Sequence, residues 1–132
     1  MFKFDPQHRR HVEGWNIVYY DAEDGIGLTA DEYIEVGFDF QINDMYEQAI
    51  RAYQRAIDLG SKKAMTSLGL LYEILERYEE AYRCFLEAAL YDEYGAVRHL
   101  ARFYKDGIYV DENEKKSQQL KDYAKDIRTI NH

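Results

Sequence analysis

Residues 61–72 read SKKAMTSLGLLY, a helical-looking stretch with a glycine, Gly69, set between leucines. Glycine in a helix interior costs about 1 kcal/mol relative to alanine, so it marks a position where packing or function needs the missing side chain. Comparing the chain with itself supplies the reason. Val36-Gly37-Phe38-Asp39-Phe40, Leu68-Gly69-Leu70-Leu71-Tyr72 and Leu100-Ala101-Arg102-Phe103-Tyr104 recur every 32 residues, each reading apolar, small, two variable, aromatic. Downstream, Ala49, Tyr53 and Ala56 return as Ala81, Phe85 and Ala88 at the same interval.

Within each unit the apolar positions have helical spacing. Tyr33, Val36, Gly37 and Phe40 fall at i, i+3, i+4, i+7, as do Met65, Leu68, Gly69 and Tyr72. Each unit therefore reads as two amphipathic helices joined by a short turn, with small residues where the helices cross and aromatic residues filling the space beside them. The pattern resembles the tetratricopeptide repeat. The connection between units is shorter and is similar to the Sel-one-like repeat, whose Ala-x-x-x-Gly-x-x-x-Ala-x-x-x-Leu-Gly join matches Ala56 to Gly69. After Tyr104, Lys105-Asp106-Gly107-Ile108-Tyr109-Val110 is close to that family's Gly-x-Gly-Val loop, with Tyr109 at the second glycine; Ser117 and Ala124 then stand for its paired alanines. The resemblance implies an all-α fold, an α-solenoid of antiparallel helix hairpins in right-handed superhelical stacking. Its repeats fall at about 29–60, 61–92 and 93–130, the third with a longer loop.

Composition fits one compact domain: 132 residues, 46% hydrophobic and 15% aromatic, with Pro6 the only proline. Residues 1–28 lie outside the repeats and read as a capping segment for the first one. Trp15 to Tyr20 suit a short strand by residue type, or a helix with Val12, Trp15, Val18 or Tyr19, and Ala22 inward; helix is slightly favoured. At the other end, Glu114–Ile130 is expected to cap the last unit with Gln118, Gln119, Lys121 and Lys125 outward. Thr29 or Asp31 is the expected N-cap of the first repeat helix.

The net charge of −8 is unevenly spread. Residues 1–60 hold 12 acids against 5 bases, residues 61–132 hold 13 against 12, and no Lys or Arg occurs between Val12 and Ile50. Such a surface disfavours nucleic acid, whose binding relies on Lys and Arg neutralising phosphates, and suits a basic protein or peptide. No window has the ~18 apolar residues of a membrane span, and the start lacks a signal-peptide apolar run, so a cytoplasmic protein without membrane association is expected. The lone cysteine, Cys84, fits a reducing compartment and reads as an apolar filler.

Catalytic chemistry finds no support in spacing, and no enzyme, metal or cofactor is expected. Asp21 to Glu32 only partly follows a calcium loop, because Ile26 holds the glycine position. Gly25-Ile26-Gly27 lacks the rest of a phosphate loop, and His8 and His11 lack further ligands. The family resemblance implies instead a partner-binding groove on the first helices of successive hairpins: Ile34, Phe38 and Gln41; Thr66, Leu70 and Glu73; Arg98, Arg102 and Lys105. Arg98 and Arg102, at i and i+4, suit a carboxylate or phosphate, or else form a solvated face paired with nearby acids. The expectation is a protein–protein interaction module, monomer or weak dimer, with a small acidic immunity or inhibitor protein against a basic toxin as the alternative. A structural subunit self-associating through its 13 tyrosines is a third.

Overall fold

The computed structural model describes residues 11–13, 16–18 and 28–130, and divides into two compact units, Met1–Leu59 and Gly60–His132. In the first, strands β1 (His11–Glu13) and β2 (Asn16–Val18) pair antiparallel with Val12 opposite Ile17, and helices α1 (Ala30–Ile42) and α2 (Tyr46–Asp58) pack on one another. Over Asn16–Val18 the slightly favoured helix is thus corrected to a strand, the β-branched Val12, Ile17 and Val18 taking the extended form such residues prefer, while Trp15, Tyr19 and Tyr20 lie outside the described residues. The capping role of residues 1–28 falls mostly outside the described residues. The second unit is a run of four helices, α3 (Lys62–Ile74), α4 (Tyr78–Ala89), α5 (Tyr94–Asp106) and α6 (Glu114–Ile130), each packed on the next.

The 32-residue interval governs the helix boundaries as well as the apolar pattern. Helices α1, α3 and α5 follow Thr29, Ser61 and Glu93, and each of these side chains accepts a hydrogen bond from the backbone N–H three residues on, at 3.0–3.1 Å. At Thr29, rather than Asp31, the cap is reciprocal, since its own N–H donates to Glu32 Oε1 at 2.9 Å. The turns repeat too. Asp44 and Glu76 both take φ 60°, and Gly60 and Asp92 take φ 98° and 61°, so one left-handed residue follows each of these helices at the same interval.

Gly69 and Gly37 are explained by what lies opposite them. A Cβ on Gly69 would stand 2.7 Å from Phe85 Cε1, and one on Gly37 would stand 2.6 Å from Tyr53 Cε1. Both rings are buried, so the missing methyl is what lets α4 and α2 approach. At the third crossing Ala101 and Ser117 meet instead, and the buried Ser117 hydroxyl donates to the Ala101 carbonyl at 2.8 Å.

Leu71, Phe85, Val97 and Phe103 are fully buried in the second unit. Phe85 meets Phe103 edge-on at 5.4 Å, and Tyr82 hydrogen-bonds Tyr104 at 2.8 Å, tying α4 to α5. Tyr109 keeps the left-handed φ of 65° that favours glycine while its ring packs 5.4 Å from that of Tyr82.

Candidate functional site

Helix α5 buries Ala96, Val97, Leu100, Ala101 and Phe103, which leaves Arg98, Arg102 and Lys105 as a row at i, i+4, i+7. Helix α6 joins it through Ala124 and Ile127 against Val97, with Tyr94 and Leu120 partly buried beside them. Between the two helices lies a cleft of about 490 Å³, lined by Tyr94, Gly95, Arg98, His99, Arg102 and Lys105 from α5 and by Lys121, Ala124 and Lys125 from α6. Five of these are cations and none is an acid.

Lys125 is exposed and Lys121 half-buried, and both border this cleft from α6. Ala49-Tyr53-Ala56 and Ala81-Phe85-Ala88 share a spacing that Ser117-Lys121-Ala124 repeats, so Lys121 holds the position at which an aromatic ring fills the other two crossings. Ser117 and Ala124 are buried as Ala81 and Ala88 are. The third crossing itself closes on Ala101 and Ser117, while Lys121, in place of the ring, lines the cleft. The register contained this signal, but a polar helix read as a cap concealed it.

Inside the cleft the charges are unequal in their engagement. The Arg102 guanidinium forms a two-pronged pair with Glu73 of α3, at 2.7 and 2.8 Å, which holds its pKa above the usual arginine value. It also lies 3.1 Å from His99 Nδ1. A guanidinium can only donate, so Nδ1 accepts and His99 is neutral in this arrangement. Burial, reinforced by Arg102, holds the His99 pKa below the ordinary 6.5, and the ring stacks on Phe85 with centroids 4.9 Å apart. Arg98 lies 5.7 Å from the Tyr94 ring, and Arg128 donates to the Tyr94 hydroxyl at 3.2 Å, which lowers that phenol's pKa. Lys105, Lys121 and Lys125 form no ion pair among the described residues.

The structure brings Arg98, Arg102 and Lys105 together and attaches Glu73 to them. Thr66 donates to Glu93, the cap of α5, so two of the three α3 candidates hold α5 in place. Leu70 stands outside the cleft at 36% exposure. Ile34, Phe38 and Gln41 belong to α1 in the other unit, where Phe38 is 54% exposed and Gln41 Oε1 accepts from the Tyr53 hydroxyl at 2.8 Å. Burial pushes the Tyr53 phenol up to about 12, aided by Asp39.

Cys84 is half-buried, and burial, with Glu87 and Glu80 nearby, pushes its thiol up to about 12. At neutral pH it is therefore a thiol and a poor nucleophile. The stretch 21–27 and His8 lie outside the described residues. Among the described residues no cluster of His, Cys, Asp and Glu is arranged to hold a metal ion, and no helix is long and apolar enough to cross a membrane. Compared with known proteins, the chain matches no family model, no curated protein and no solved structure.

Proposed function

We propose that the chain is a protein–protein interaction module of the tetratricopeptide or Sel-one-like kind, a short solenoid of antiparallel helix hairpins that holds a peptide or protein partner on the first helices of its units. The observation that carries this reading is the 32-residue recurrence of caps, left-handed turns and small-on-aromatic crossings, which gives α1, α3 and α5 equivalent places in their units. Phe38 and Leu70 are equivalent, exposed and apolar, which suits anchors for a partner side chain. A reducing, cytoplasmic setting fits the single cysteine.

Replacing Phe38 and Leu70 together by alanine removes exposed side chains only, so helical content should stay unchanged while partner capture is lost. Capture equal to that of the wild type would overturn the groove. The inhibitor alternative is favoured by α1, which carries Asp31, Glu32, Glu35 and Asp39 and no base. Salt separates the two: a complex steered by that acidic helix should form far more slowly at high ionic strength, whereas an apolar groove complex should change little.

A further inference from the structure

We infer that the cleft between α5 and α6 is a docking site for an acidic helical segment of a protein partner. The inference rests on the interaction-module reading and names the partner's chemistry. Three observations support it.

The first is charge. The second unit as a whole is near neutral, with 13 acids against 12 bases over residues 61–132, yet five of those bases gather around one cleft. Lys105, Lys121 and Lys125 are left without an ion pair among the described residues. The second is extent. Arg98 to Lys105 covers two turns of α5, about 10 Å at ~1.5 Å per residue, and Lys121 and Lys125 face it from α6. A row that long matches several carboxylates in line better than one compact anion.

The third is the repeat. Thr66 and Glu73 lie 32 residues before Arg98 and Lys105. In α3 those two positions engage α5, through Glu93 and Arg102. The same positions in α5 instead line the open cleft, so a helix laid there would sit against α5 as α5 sits against α3. Carboxylates on its facing side would meet Lys105, Lys121 and Lys125 as Glu73 meets Arg102.

The test uses the full chain and a fluorescent helical peptide with glutamates at i, i+4 spacing along one face, beside a sequence-matched peptide carrying glutamines there. Binding is read by anisotropy. The wild type should bind the glutamate peptide with an affinity that falls as salt rises, and the Lys121→Glu/Lys125→Glu variant should lose about tenfold or more at unchanged helical content. A single charge-neutralising change, Lys125→Gln, should give an intermediate loss and guards against a folding defect in the double variant. Equal binding of both peptides, or no loss on charge reversal, would overturn the proposal. So would displacement of the peptide by inorganic phosphate at matched ionic strength, which would mark a compact-anion site. Self-association in sedimentation that the charge reversal abolishes, without peptide binding, would assign the cleft to a second copy of the chain. If no glutamate peptide binds while a partner is still captured through Phe38 and Leu70, this inference fails and the interaction-module reading stands.

Discussion

At Gly69 a single absent methyl group sets the distance between two helices. The fully buried Phe85 ring occupies the space where that methyl would lie, 2.7 Å from its Cε1. Alanine would gain about 1 kcal/mol of helix propensity there, but overpacking a buried core costs about 1–3 kcal/mol. Gly69→Ala should therefore lower stability by up to about 2 kcal/mol in urea unfolding, against the propensity scale. In a Phe85→Leu background the penalty should shrink, and a double-mutant cycle measures the coupling. The glycine was visible in the sequence. That its partner is Phe85, 16 residues on, became readable only when the crossing was seen, because no local rule ties those two positions.

Helix α5 shows how one element serves packing and charge at once. Its apolar side completes the core while its basic row borders the cleft, and His99 sits between the two, stacked on Phe85 and facing Arg102. Its pKa is depressed on folding by burial and by Arg102 and Arg98, which outweigh Glu73 and Glu93. The unfolded chain therefore takes up a proton first as pH falls, so the stabilisation is present above pH 6.5 and is lost as pH drops through the folded value. Urea midpoints should decline from pH 7.5 to about 5.5, and His99→Gln should flatten that decline. An unchanged slope would place the histidine in a solvated state. Helix α6 is the element whose place the sequence least disclosed: that Lys121 and Lys125 border the same cleft as the basic row of α5 follows only from how the two helices pack.

For the molecule as a whole, the division at Gly60 has a measurable consequence. The unit from α3 to α6 has its own buried set in Leu71, Phe85, Val97 and Phe103, and long-range ties in Glu73–Arg102 and Tyr82–Tyr104. Residues 60–130 expressed alone should be helical and unfold in one cooperative transition. A broad, non-cooperative melt would show that the fragment needs the preceding residues for its fold.

The sequence by itself determined the interval of 32 residues, and with it the approximate repeat bounds, the cap at Thr29 as one of two candidates and the small-residue positions of the crossings. These depend on local capping, helical periodicity and backbone sterics, all of which act over a few residues. It left the strands at His11–Glu13 and Asn16–Val18 ambiguous, since short runs of β-branched and aromatic residues fit either periodicity. Only the tertiary structure decided that Glu73 spans 29 residues to hold Arg102, that Thr66 holds the cap of α5, and that Lys121 borders the same cleft as Arg98 and Arg102. Those outcomes depend on which helix faces which. That is set by the burial of apolar surface across the whole fold rather than by any neighbour along the chain.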